Sequence, residues 1–273
     1  MRRLRLAWRL PLLVGLLLGG LATVLLLFPI AGQAFRRAAI GRWSRMLVAA
    51  CGIEVAYRQH PGAGPLTGLA GGSFIVSNHI SWMDIFIIDS QCPASFVAKA
   101  EIAAWPLVGT LVARTGNLFI ERGKRHAVHR MIERIVHSLA AGGRVAVFPE
   151  GTTSDGRRLL PFHANLVEAA VRARAPVVPV GLRYVDMAGA PARAIEFVGE
   201  TTFVQSLLAV LAEPGIRCEV HVLAPITEPG LRRHDIVERA RAALAQCLAL
   251  PLDDSIPENL RELRQSATRH RSP

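Results

Sequence analysis

The stretch "SNHISWMD" (Ser77–Asp84) places an imidazole, His79, five residues ahead of a carboxylate, Asp84, where the strand-like run "FIVS" gives out. A His–Asp pair has a defined chemistry. The carboxylate holds the ring in one tautomer and stabilises the imidazolium, so the ring can take a proton from a hydroxyl. A five-residue step in a regular helix turns about 500° and would put the two side chains on different faces. They meet if His79 lies in a strand-to-helix turn and Asp84 in the first helical turn. Ser81-x-x-Asp84 also has the outline of a capping box with Ser81 as N-cap, so a second reading makes Asp84 a helix cap and His79 an ordinary loop histidine. The sequence has no GxSxG serine. If no protein nucleophile is present, the hydroxyl activated by His79 belongs to a substrate, and the chemistry is then direct acyl transfer from an activated donor to an alcohol.

Three further stretches carry polar chemistry at the end of an apolar run. "GNLFIER" ends in Arg122, whose planar fork suits phosphate or carboxylate; a solvated charged turn is the plain alternative. "VAVFPEGTTSDGRR" leads into Glu150, Gly151 and Thr152. Backbone N–H groups at Gly151 and Thr152 are candidates for an anionic head group, and Glu150 for holding a basic side chain or the acceptor hydroxyl. "APVVPVGLRY" puts Pro179 inside an apolar strand, where proline belongs at an edge or bulge. That run reads as core strand or as an apolar wall for an acyl chain. "GNLFIERGK" shares only its final Gly-Lys with a phosphate loop. No HExxH or clustered Cys/His is present, and Cys51, Cys92, Cys218 and Cys247 lie far apart, as reduced thiols of a cytosol-facing protein do. No metal is expected.

The elements that must position these groups alternate. Candidate strands are Phe74–Val76, Ser95–Ala98, Asn117–Ile120, Arg144–Phe148, Val177–Arg183, Ile195–Val198 and Glu219–Leu223. Helical patterns fall at Trp82–Asp89, Ile102–Arg114, His126–Ala141, Ala164–Arg174 and Asp235–Leu248. Strands apolar on both faces and separated by helices predict an α/β layer structure around a largely buried sheet.

Residues 10–35 carry no formal charge, long enough to cross a hydrocarbon core, which needs about 20 apolar residues. The run exceeds a usual signal-peptide core, which favours a retained anchor. Arginines flank it equally, Arg2, Arg3, Arg5 and Arg9 before and Arg36, Arg37, Arg42 and Arg45 after, so charge does not orient it. Gly19-Gly20 leaves room for a break that keeps both ends on one side, and "FRRAAIGRWSRMLVAACGI" has the mixed pattern of an interfacial helix. The division is 1–57 anchor and interfacial helix, 58–72 Gly/Pro-rich linker, 73–250 catalytic domain and 251–273 polar basic tail. The formal charge of +11 comes almost wholly from arginine, Lys99 and Lys124 being the only lysines. It suits an anionic membrane or a phosphorylated ligand. Without a run of interleaved basic and aromatic residues it does not point to nucleic acid.

Together and in order, "NHISWMD", "GNLFIER", "FPEGTTS" and "VVPVGL", with "FVAKAEIAAWPLVG" between the first two, resemble the blocks of the glycerolipid acyltransferase family, the 1-acylglycerol-3-phosphate acyltransferases. The resemblance covers about Ser73–Arg183. It implies that family's α/β fold, with a mixed sheet and a membrane-anchoring amino terminus. It implies His79 as general base with Asp84 orienting it, Arg122, Glu150, Gly151 and Thr152 at the acceptor head group, Lys99 at an anion of acceptor or donor, and Pro179 by the acyl chain. It further implies acyl-CoA or acyl carrier protein as co-substrate, no cofactor or metal, lysophosphatidic acid as acceptor, membrane lipids as surroundings, and a catalytic domain on the cytoplasmic side of the cell membrane. One departure matters. Many members follow FPEGT with Phe-Lys-x-Gly, whereas "LPFHANL" has His163 and Ala164, similar to the branch that acylates lyso-ornithine lipid. A non-catalytic lipid-binding protein and a thioesterase are the remaining alternatives.

Overall fold

The computed structural model describes residues 1–121 and 125–255. Seven strands form one sheet: β1 (Ile53–Gln59), β2 (Phe74–Ser77), β3 (Ser95–Lys99), β4 (Leu118–Ile120), β5 (Val145–Val147), β6 (Val177–Asp186) and β7 (Ile216–Val222). Their order is β1-β7-β6-β2-β5-β3-β4. β6, β2, β5, β3 and β4 run parallel to one another; β7 is antiparallel to β6 and parallel to β1, so the sheet is mixed as expected.

The period-2 alternation of the strands separates two cores. Ile75, Phe96, Ala146, Val178 and Val180 face a layer containing helices α2 (Gln33–Ala50), α3 (Met83–Asp89) and α7 (Phe203–Ala212). Phe74, Val76, Val145, Val147 and Val177 face α5 (Arg125–Ala140), α6 (Glu168–Ala173) and α8 (Arg233–Leu248). Phe74 and Ile75 are fully buried on opposite sides, each contributing about 1.5–3 kcal/mol of transfer free energy.

Four features differ from the sequence reading, and a fifth, at Pro179, follows it. Residues 53–59, divided between anchor and linker at 57/58, are the edge strand β1, paired along its length with β7. Helix α7 was not foreseen, although Thr202 and Gln205 form its capping box. Ile195–Val198 is no strand: a 3₁₀ turn covers Arg193–Ile195, the Phe197 N–H donates to Ile80, and the Phe197 carbonyl accepts from Thr153 Oγ1. Ile102–Arg114 is a short 3₁₀ turn and then α4 (Val108–Arg114), broken at Pro106 and Leu107, whose φ is 62°. Pro179 lies in an interior strand, where the ladder slips by one residue. Val180 faces Val222 but Val177 faces Ile226, so the missing N–H falls in a bulge.

Helix α1 (Arg2–Ala22) and a π-helical turn over Thr23–Leu27 make up the one described helix long and apolar enough to cross a membrane. The chain then doubles back through α2, and Trp43 Nε1 donates to the Leu16 carbonyl across the hairpin at 2.7 Å. Both ends of the hairpin rest on the α/β body. α2 runs directly into β1, while Arg5 and Arg9 of α1 donate to the Leu211, Ala212 and Glu213 carbonyls at the end of α7.

Candidate active site

Parallel strands β2, β5, β3 and β4 present their carboxyl ends at one edge of the sheet, and each motif follows one of them: His79 after β2, Glu150–Thr152 after β5, Lys99 closing β3. Such an edge gathers loop residues from several strands into one crevice. β4 ends at Ile120, two residues before Arg122, which lies outside the described residues.

The chain leaves the sheet at His79 through a substitution of side chain for backbone. The buried Asn78 amide donates to the Leu182 carbonyl at 2.9 Å and accepts from the Leu182 N–H at 2.8 Å. It imitates one more peptide rung between β2 and β6 and frees the main chain to turn. The turn is pinned from three sides. The His79 N–H donates to Glu150 at 2.8 Å, the His79 carbonyl accepts from the Ser154 N–H at 2.8 Å, and the ring stacks on Phe148 at 4.0 Å and 10°. Phe148 in turn stacks on Phe96 at 5.8 Å, giving an aromatic shelf across β2, β5 and β3.

His79 Nδ1 meets Asp84 Oδ2 at 2.7 Å. The same oxygen accepts the backbone N–H groups of Ile80 (2.7 Å) and Ser81 (2.9 Å), and Oδ1 accepts the Tyr184 hydroxyl at 2.7 Å. Asp84 is fully buried, whereas the His79 side chain keeps 19% exposure. The two readings of Asp84 therefore merge, since one carboxylate closes the start of α3 and holds the imidazole. Ser81 does not cap; its hydroxyl is buried with no hydrogen-bond partner among the described residues. With Nδ1 on the carboxylate, Nε2 is the ring atom left to exchange a proton, and no serine or cysteine side chain bonds the imidazole among the described residues.

Glu150 corrects an expectation. It is wholly buried, and its oxygens accept from the His79 and Leu160 N–H groups at 2.8 and 3.3 Å, so it braces the site loop and is closed to an acceptor head group. Burial pushes its carboxyl up to about 8, against the opposing pull of those two N–H donors. The Gly151 N–H is likewise committed, to the Phe148 carbonyl at 3.1 Å; the residue is needed for its φ of 72°. Thr152 is partly buried beside it and Lys99 is exposed. Pro179 is buried opposite Val76, three residues before His79. Sequence reading missed Phe148, Tyr184 and the bridging role of Asn78. Asn78 and Phe148 stand inside the quoted motifs, while Tyr184, 100 residues beyond Asp84, gave no local signal.

The fold also gathers His60, His221 and Cys247, separated in sequence by 161 and 187 residues with no ligand spacing to reveal them.

A histidine oriented by a buried carboxylate at the carboxyl edge of parallel strands has the parts of a general-base site. A family model described as "Acyltransferase" matches residues 54–183. A lyso-ornithine lipid O-acyltransferase of Brucella abortus is 33% identical over 202 residues, 67% of this chain and 74% of that one. One from Pseudomonas aeruginosa is 37% identical over 63% of this chain, and a 1-acyl-sn-glycerol-3-phosphate acyltransferase of Neisseria gonorrhoeae is 41% identical over 43%. The chain spans 66% and 46% of the length of those two, under two thirds in each case. The crystal structure of the 1-acyl-sn-glycerophosphate acyltransferase from Thermotoga maritima has the same fold, with a TM-score of 0.65 over 91% of this chain and 97% of that one at 20% identity. This chain belongs to the acyltransferase family.

Proposed function

We propose that the chain transfers a fatty acyl group from a thioester, on CoA or acyl carrier protein, to the free hydroxyl of a lysolipid at the membrane face. The observation that carries this reading is the partly exposed imidazole fixed on a buried, fully hydrogen-bonded carboxylate. His79 Nε2 takes the hydroxyl proton as oxygen attacks the thioester carbonyl. The tetrahedral oxyanion collapses, the C–S bond breaks, and the thiolate leaves with the proton held by the imidazolium. General-base assistance of this kind is worth about 10²–10⁴-fold. The reaction calls for no metal and no covalent enzyme intermediate. Lys99, Arg122 and Thr152 are assigned to anionic groups of donor or acceptor, and the apolar strand around Pro179 to the side of the acyl chain. The catalytic domain works on the cytoplasmic side, where both donors are found.

For the acceptor, lyso-ornithine lipid stands first. Relatives of that name align over 63% and 67% of the chain against 43% for the Neisseria lysophosphatidic acid enzyme, and "LPFHANL" departs in the same direction. Lysophosphatidic acid is the second reading, supported by the four shared motif blocks. Purified wild type and His79→Ala protein in detergent, given labelled acyl donor and each lysolipid side by side, test both. Labelled ornithine lipid from wild type alone is expected. Labelled phosphatidic acid alone would move the acceptor assignment, and an active His79→Ala protein would end the general-base mechanism.

A further inference from the structure

We propose that His60, His221 and Cys247 form a binding site for a thiophilic divalent cation of the Zn²⁺ class, separate from the acyl-transfer site. His60 follows the last residue of β1, His221 lies on β7 and Cys247 in the final turn of α8. His60 Nε2 is 3.0 Å from His221 Nδ1 and 3.3 Å from Cys247 Sγ, and the three candidate ligand atoms lie within 4.8 Å of one another. Metal–nitrogen bonds of about 2.0–2.1 Å and metal–sulfur bonds of about 2.3 Å give ligand separations of roughly 3.3–3.6 Å in a tetrahedron; the two His60 pairs need a few tenths of an ångström of adjustment to reach it, and the His221–Cys247 pair, within 4.8 Å, a side-chain rotation of at most about 1 Å. Two imidazoles and one thiolate form the donor set that selects Zn²⁺ over Mg²⁺ or Ca²⁺.

A further observation supports a ligand here over simple packing. His221 Nε2 is buried with no hydrogen-bond partner among the described residues, yet it lies 3.9 Å from Glu219 Oε2. A metal on Nδ1 fixes the tautomer that carries its proton on Nε2, facing that carboxylate, which is the usual outer partner of a metal-bound histidine. All three groups are half-buried, so solvent can complete the coordination. Binding forms the metal–sulfur bond with loss of the thiol proton to water, and it ties the β1 and β7 strand pair to the last turn of α8. None of the three side chains hydrogen-bonds the His79–Asp84 pair.

The test uses full-length protein in detergent, purified without a histidine tag and stripped with a chelator, then titrated with Co²⁺ as a spectroscopic stand-in. The expected result is one Co²⁺ per chain with tetrahedral d–d bands and a sulfur-to-metal charge-transfer band, displaced by Zn²⁺. The band should vanish in Cys247→Ser, and affinity should fall at least about tenfold in His60→Gln and His221→Gln. Zn²⁺ should raise the Tm of wild type and leave that of Cys247→Ser unmoved. Absence of the charge-transfer band in folded wild type, or equal Co²⁺ binding by wild type and Cys247→Ser, would overturn the proposal.

Discussion

Replacing Asp84 with Asn separates the electrostatic part of the proposed mechanism from the geometric part. Asp84 Oδ2 faces three donors, His79 Nδ1 and the Ile80 and Ser81 N–H groups, so an amide at this position must turn its oxygen toward them. Its NH₂ then points at the Tyr184 hydroxyl, which can accept as well as donate. All four hydrogen bonds survive, the imidazole keeps its tautomer, and only the charge is lost. That charge acts when the ring becomes imidazolium. At an effective dielectric of about 20 and a charge separation of about 4 Å, the lost attraction is about 4 kcal/mol, or roughly 10³-fold in rate. The assay is thiol release from acyl-CoA that depends on added lysolipid, with the acceptor KM measured alongside and near-UV circular dichroism and Tm as controls on folding. The expected result is a kcat reduced by two to three decades at nearly unchanged KM. A folded Asp84→Asn protein within about threefold of wild type would show that the carboxylate serves only to shape the turn.

Other consequences follow from the same contacts. Tyr184→Phe leaves Asp84 Oδ1 buried without its donor. Stability should fall by about 1–3 kcal/mol and kcat by less than in Asp84→Asn, and an unmoved Tm would refute the assignment. Burial raises the carboxyls of Glu150 and Asp89 to about 8, so the folded protein holds protons that the unfolded chain releases. Stability therefore falls as pH rises from the ordinary carboxylate range toward 8, by at most about 1.4 kcal/mol per pH unit for each group. Thermal melts across that range should show the decline, Glu150→Gln should remove its own share and leave that of Asp89, and a flat wild-type profile would contradict it. Arg122→Ala should raise the acceptor KM with little change in the donor KM; an unchanged acceptor dependence removes Arg122 from the site.

The sequence made the His79–Asp84 pairing legible and much of its wiring invisible. His79 and Asp84 stand close enough along the chain for their types and the strand end to suggest a pair. Strands β2, β5 and β6 were readable because residues buried on both faces leave short runs rich in β-branched residues. Glu150 was misplaced because a carboxylate in a turn looks the same whether it faces solvent or two backbone N–H groups behind the turn. Tyr184 and Asn78 act on partners 100 and 104 residues away, distances set by topology. β1 escaped notice because "IEVAYRQ" mixes polar and apolar residues, as an edge strand with one wet side does. α7 was overlooked although its capping box was in plain view.

The contact between Arg5, Arg9 and the end of α7 changes what the amino-terminal helix is. A helix ends with carbonyls that have no partner of their own, and here a different helix, itself apolar enough to enter a bilayer, supplies the donors. At its other end, α7 sets Phe203 edge-on against Trp82 at 5.1 Å, and Ser206 accepts from the Trp82 indole at 3.1 Å. Trp82 lies between His79 and Asp84 in the chain. Cutting away the first fifty residues to obtain a soluble domain would thus leave α7 with unanswered carbonyls and slacken the tryptophan that shapes the turn. The apolar segment is thus also a structural member of the α/β body: through α7 and Trp82 it braces the turn that carries His79 and Asp84.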